Sequence, residues 1–543
     1  MKNAFVLFGV FLVLLLVVVA WGGKAWSAQK DARWKKVEEA KRKGLPKTAI
    51  EQLEPIIVGA LKDKAYAEAI RAISMKIALE STIQGNRPEE KVTRMQAELA
   101  RAPEEMKPVM EAILANWYWH YFQQNRYRFL QRTQTQESPG EDFTTWDLAR
   151  ILSEIDKQFD KALAHEKVLK ATPIGDYNDL LQKGTVPDSY RPTLFDFLAF
   201  NALEFYTAGE QAGAKAEDAF ELSPESPIFS SDNEFLSWRP ETADSNSPTL
   251  KAVRLYQSLL AFHRDDRDRT AFLDADLWRL HFGKNKAAGE EKDSRYKAAL
   301  RGFLERAAGH EISARALFEL ASVIRNEGNP LDALGLAKRG MDSFPNSIGA
   351  RMCYNLVQEI QSRSAGISTE RVWNEPLPTL DIKYRNVTRV FFRAVQYDFD
   401  DFISRRKWGY GALDRDEQTK LLSLRPVLEW SADLPPTADF RERMEKLPAP
   451  AGLKPGSYYI LASHDPSFKE NNNQVSYTPV WVSNLALVMR SRNFEGLTEG
   501  FVLNALTGDP VAGAAVRGWA RNRRTGSFEP IEAVTTDENG LFR

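Results

Sequence analysis

The sequence predicts a multidomain chain. An N-terminal all-α helical-repeat region of tetratricopeptide-like (TPR-like) character comes first. All-β, Ig-like sandwich domains follow, the last one truncated. Three observations lead there. Apolar residues recur at spacings of three and four from Trp34 to about Ser364. After Ile367 they alternate with polar residues, as on half-buried strands. The stretch from Gly500 to Arg543 reads as strand, turn, strand, loop, strand, turn and the start of one more strand, too few to bury a face. The chain is therefore expected to be the N-terminal part of something longer. The expected divisions are 1–28, 29–366, 367–495 and 496–543.

At 543 residues there is room for three or four domains. The 73 basic and 74 acidic residues cancel, so no broad field favours nucleic acid and none is expected as a partner. With Cys353 as the sole cysteine, neither an intrachain disulfide nor a Cys-based zinc site can form. Cys353 lies in a helical pattern and reads as a small buried residue.

Phe5 to Ala20 is almost unbroken Leu, Val and Phe behind Lys2, and Ala25-Trp26-Ser27-Ala28 offers small residues at alternate positions. This reads as a secretory signal peptide or as an uncleaved membrane anchor, since the run just reaches the length of a span. Membrane contact is then confined to residues 4–21, and only if the segment stays uncleaved. Export with almost no cysteine fits a bacterial periplasm or cell envelope.

Along the helical region, Trp34, Val37 and Ala40 share a face, and Gly44-Leu45-Pro46 breaks the run before the next helix. Trp117-Tyr118-Trp119-His120-Tyr121-Phe122 reads as a thick interhelical core. Thr145 to Lys170 is one amphipathic helix with Leu148, Ile151, Leu152, Ile155, Phe159 and Leu163 on one face. Leu194 to Tyr206 should be a central helix. Ala314 to Pro345 matches a tetratricopeptide unit through Leu317, Leu320, Ala321, Ile324, Ala333, Ala337, Gly340 and Pro345.

In the β region, Thr379 to Tyr384, Val387 to Val395, Tyr458 to Ser463 and Val480 to Val488 read as strands of an antiparallel sandwich. Asp398 to Leu424 and Thr437 to Lys446 are polar and read as helical insertions or long loops. Flexible candidates are Pro224 to Pro248 and Asp398 to Glu417.

The chain carries no HExxH, Gly-rich phosphate loop or G-x-S-x-G elbow, and its six histidines are scattered. Ser463-His464-Asp465 is not a triad, because a triad converges from separate elements. Asp265 to Arg269 reads as a solvated helix end, and Asp537-Glu538-Asn539-Gly540 as a β-turn. No catalytic, cofactor-binding or metal-binding residue is proposed; an enzyme and a cofactor are not expected.

Short motifs carry a resemblance. Lys43-Gly44-Leu45-Pro46-Lys47-Thr48-Ala49, Tyr384-Arg385-Asn386-Val387, Leu453-Lys454-Pro455-Gly456-Ser457-Tyr458-Tyr459 and Thr507-Gly508-Asp509-Pro510-Val511-Ala512-Gly513-Ala514 follow one another after the signal. In that order they resemble the large bacterial α2-macroglobulin-like proteins with an N-terminal helical extension. Thr507 to Ala514 and Thr536 to Phe542 also resemble the carboxypeptidase-regulatory-like sandwich. The resemblance implies macroglobulin-like domains of a protease trap, with bait and any Cys-Gly-Glu-Gln thioester in later domains. The expected function is the N-terminal non-catalytic portion of an exported endopeptidase inhibitor, with proteases as partners of the full-length protein. The alternative is a cell-envelope scaffold or adhesion protein whose helical repeats bind another envelope protein.

Overall fold

The computed structural model describes residues 28–85, 88–131, 140, 142–181, 184–210, 219–406, 413–470, 472–492 and 497–543. Except for Ala28, the expected signal or anchor over 1–28, with its residues 4–21, lies outside the described residues. Among the described residues no helix is long and apolar enough to cross a membrane. A helical region comes first and β-sheets follow. Packing divides the chain into two compact units. One holds residues up to Val323 with Gly340–Met352; the other holds Ile324–Arg339 with Cys353–Arg543.

In the first unit, α1 (Ala28–Arg42), α2 (Pro46–Lys62) and α3 (Tyr66–Ile83) bury Trp34, Val37, Ala49, Leu53, Ile56 and Met75 together. Pro46 opens α2 in its first turn, where a missing N–H costs nothing. Then come α4 (Pro88–Arg101), α5 (Lys107–Gln124) and α6 (Arg126–Gln131). The single helix expected over Thr145–Lys170 is instead two, α7 (Leu148–Ala164) and α8 (Glu166–Ala171), divided at His165. It starts late because the Asp147 carboxylate accepts from the Arg150 amide and caps α7 there. Of its expected apolar face, Ile151, Leu152, Ile155 and Phe159 are buried, while Leu148 and Leu163 near its two ends are only half-buried.

Helix α9 (Leu194–Thr207) is buried nearly all round, from Leu194 and Phe195 to Phe205 and Tyr206. Thr193 and Asp196 close a capping box at its start. The remaining helices are α10 (Asp232–Ser237), α11 (Pro248–His263), α12 (Thr270–Lys286), α13 (Lys292–Arg306), α14 (Ile312–Asn326), α15 (Pro330–Ser343) and α16 (Ile348–Gln361). The stretch Pro224–Pro248, expected to be flexible, is tied down. Arg279 Nη1 donates to the carbonyls of Ile228 at 2.8 Å and Ser230 at 3.1 Å. Gln257 Nε2 donates to those of Phe235 and Trp238, each at 2.8 Å.

In the second unit, two sheets face each other across a shared core. The smaller is antiparallel: β1 (Ser364–Ser368) and β6 (Arg443–Pro448) flank β3 (Thr379–Arg385). The larger has the order β2 (Val372–Trp373), β8 (Ser476–Val482), β7 (Gly456–Ser463), β4 (Arg389–Gln396), β5 (Leu428–Asp433). It is mixed rather than purely antiparallel, because β2 runs parallel to β8. Between them lie Ile382, Tyr384, Trp373, Phe392 and Ile460. The opposite face of the larger sheet packs Val395, Tyr459 and Leu461 against Leu421 and Phe402, from α18 (Arg415–Ser423) and α17 (Phe399–Arg405). The polar Asp398–Leu424 segment is therefore a helical cover, as far as it is described. Double-sided burial also explains the unbroken run Tyr458 to Ala462, as sheets covered on both faces lose their alternation. Part of Thr437–Lys446, expected as insertion or loop, is strand β6; as an edge strand it is largely exposed and charged, which hides its period.

Strand β9 (Leu485–Arg492) pairs along its length with β10 (Leu497–Asn504), so Leu485 to Val488 share a sheet with residues beyond 496. Strand β15 (Leu541–Phe542) joins β10 on its other side. The pairs β11 (Ala515–Val516) with β14 (Val534–Thr535) and β12 (Trp519–Arg521) with β13 (Phe528–Pro530) complete it. Leu485, Leu487, Met489 and Phe501 stay exposed on this hairpin.

Two helical glycines have opposite surroundings. A Cβ on Gly349 would overlap the Arg315 amide nitrogen and lie 2.6 Å from the Ala314 carbonyl carbon, whereas one on exposed Gly335 meets nothing. Gly349→Ala is therefore expected to cost about 2 kcal/mol, because backbone must shift. Gly335→Ala should gain roughly 0.5–1 kcal/mol from helix propensity. Thermal denaturation followed by circular dichroism checks both signs; a stabilised Gly349→Ala would refute the close approach.

Candidate functional site

The motifs weighed in the sequence fall apart as sites. The Ser463 hydroxyl donates to the Asp465 carbonyl at 2.7 Å, and the Asp465 carboxylate accepts from Ser467. The segment is a turn end, with Ser463 fully buried. Asp537 accepts from the amides of Asn539 and Leu541, closing a turn. Cys353 is buried in α16, and burial raises its thiol pKa to about 12, so it is no thiolate nucleophile at neutral pH. Tyr118 packs edge-on against Phe143 at 5.1 Å, and Trp119 against Phe205 at 5.4 Å, so the α5 aromatics form core. His120 approaches Gln124 at 2.7 Å. Among the described residues no His, Cys, Asp and Glu group is placed to hold a metal ion.

A buried charge cluster surrounds α12, which has little solvent face. Asp274 accepts from Arg315 at 2.7 Å and lies 3.9 Å from Arg191. Arg191 stacks over Phe200 at 3.7 Å, and Arg315 over Trp278 at 4.4 Å. Asp276 binds Arg279 at 2.6 Å and Arg306 at 3.0 Å. Burial raises the Asp274 pKa against the pull of its two arginines, and burial lowers that of Arg191. Each carboxylate is matched by guanidinium, which suits structural neutralisation rather than proton transfer.

A second feature is open to solvent and lies within the second unit. A cleft of about 420 Å³ is lined by Arg325, Glu327, Gly328, Pro330, Arg385, Phe440, Arg441 and Glu442. Two of its arginines are fixed. Arg325 grips the Glu359 carboxylate through two nitrogens at 2.5 and 3.0 Å. Arg385 Nη2 donates to the Glu359 carbonyl at 3.0 Å and to Ser362 Oγ at 2.7 Å. Its neighbour Asn386, in the left-handed region at φ 58°, donates to the carbonyls of Ile360 and Ser362. Phe440 is also left-handed, at φ 57°, and its amide donates to the Thr437 carbonyl at 2.9 Å. A bulky residue there is uncommon and strained.

Neither a protein-family model nor a curated protein matches the chain. Among solved structures, the chain is similar to native alpha-2-macroglobulin from Escherichia coli spanning domains NIE-MG1. The identity is 17% and the TM-score 0.26, over 34% of this chain and 86% of that one.

Sequence reasoning found none of the cleft residues as a site. Arg325 and Arg441 are far apart in the chain, and nothing in the residue type marks Phe440 as left-handed. A signal for the α12 cluster did exist: Asp274, Asp276 and Arg279 interrupt a helix whose other residues are largely apolar.

Beside that cluster, His263 has Asp196 on Nε2 and Asp266 on Nδ1, each at 2.6 Å. Burial disfavours its charged form, but the two carboxylates outweigh burial and raise its pKa. A raised folded-state pKa gives stability that is complete below the unfolded value of about 6.5 and lost as pH climbs through the folded one. His263→Gln is therefore expected to cost about 2 kcal/mol more near pH 5.5 than near pH 9.5. Urea unfolding at both pH values measures this; a cost that grows with pH would contradict the ion-paired imidazolium.

Proposed function

We propose that this chain is a non-catalytic, partner-binding part of a bacterial α2-macroglobulin-like endopeptidase inhibitor exported to the cell envelope. One observation supports this reading above others: the motifs behind the resemblance occupy the turns of a helical region followed by a β frame. Lys43 to Ala49 joins α1 to α2. Tyr384 to Val387 joins β3 to β4, Leu453 to Tyr459 leads into β7, and Thr507 to Ala514 follows β10. In this reading α14 and α15 are the tetratricopeptide-like pair. The two facing sheets are a macroglobulin-like, Ig-like sandwich. Export rests on the apolar run Phe5 to Ala20.

A second reading, an envelope scaffold or adhesion protein, is favoured by the open arginine cleft at the turn between α14 and α15. An endopeptidase with a blocked active site that shifts the chain on a native gel supports the inhibitor reading. A shift with non-proteolytic envelope proteins alone supports the scaffold.

The inhibitor reading places trapping outside these residues. Serine and metallo-endopeptidases incubated with the purified chain should keep full activity on both protein-sized and tripeptide substrates. Shielding of the protein-sized substrate alone, appearing after the chain is cut, would overturn this placement.

A further inference from the structure

We propose that the cleft between the α14–α15 turn and the loop before β6 binds a carboxylate on an acidic peptide segment of a partner protein. The inference stands on the cleft itself and does not depend on the endopeptidase reading.

Three guanidiniums line one cleft, those of Arg325, Arg385 and Arg441. Two are already held in place by the C-terminal end of α16, through Glu359 and Ser362. Guanidiniums positioned in advance lose little freedom when a carboxylate arrives, so more of the interaction survives as affinity. Arg441 is exposed, and it is its backbone amide that reaches the Asp439 carboxylate, leaving the guanidinium for a ligand. Arg385 Nε is buried with no acceptor, an orphaned donor on a lining residue. Such donors are costly and rare. Pro330 on the wall begins α15, whose N-terminal end adds partial positive charge.

The other lining residues narrow the ligand. Three arginines stand against two glutamates, Glu327 and Glu442, leaving one net positive charge. Glu442 is held in place by Lys383 at 2.6 Å. A nucleic-acid backbone or a polyphosphate meets both glutamates and is repelled. A single carboxylate among uncharged neighbours is not. Phe440 supplies an apolar ring beside the charges, suited to a hydrophobic residue next to the acidic one. Its strained left-handed backbone keeps that ring in the loop that also carries Arg441 and Glu442.

The test uses the full chain and a fluorescein-labelled octapeptide of alternating glutamate and leucine, with a glutamine-for-glutamate control. Fluorescence polarisation at low salt is expected to show saturable binding of the glutamate peptide and none of the control. Arg441→Glu should weaken it by about tenfold or more, the loss of one charge-assisted contact. Phe440→Gly should also weaken it while melting at the same temperature or higher, since glycine relieves the left-handed strain. That combination separates a binding role from a folding one. Absence of glutamate-peptide binding, equal binding of both peptides, or unchanged affinity in both variants would overturn the proposal. So would displacement by inorganic phosphate as effective as that by unlabelled peptide, which marks a general anion site.

Discussion

Helix α12 has almost no face left for water, and the first unit is arranged around that constraint. Its acidic residues Asp274 and Asp276 point into protein, where an uncompensated charge is costly. Compensation comes from three directions: Arg315 on α14, Arg306 on α13 and Arg279 on α12 itself. Arg279 then spends its remaining donors on the carbonyls of Ile228 and Ser230, which fixes a segment that has little regular structure. Packing follows the charges. Gly283 lets α12 approach that segment so closely that a Cβ would lie 2.8 Å from Ile228.

How much of this was legible depends on sequence distance. Local periodicity revealed the helices, because Trp34, Val37 and Ala40 must share a face whatever they pack against. The change of period near Ile367 likewise marked the start of the sheets. The charges of α12 stand out in the sequence, but their partners were not legible. Asp274 meets Arg315 across 41 residues, and no single-sequence pattern couples positions so far apart. Strand β6 was missed because most of its positions are exposed and half of them, Arg443, Glu445 and Lys446, are charged. The cleft was missed for both reasons, since Arg325, Arg385 and Arg441 come from separate stretches that each look like ordinary surface.

The motifs behind the resemblance have a physical basis in the turns. Asn386 sits at φ 58°, a conformation that asparagine tolerates better than most residues. Gly540 sits at φ 72°, and a Cβ there would lie 2.6 Å from the Val502 carbonyl oxygen. These residues are demanded by the backbone path of a β frame, whatever the frame is used for. Such motifs speak to architecture, and function has to be argued from sites such as the arginine cleft.

Strand β7 is hydrogen-bonded to a strand on each edge and covered on each face. No local fraying can expose its amides to solvent without stripping away either a neighbouring strand or a packed layer. In heavy water, its backbone protons should therefore be among the last in that unit to be replaced, at a rate set by cooperative opening. Tyr459, Ile460 and Leu461 would then act as an internal clock for unfolding of the sandwich. Rapid exchange at those three amides would show that one of the covering layers detaches on its own.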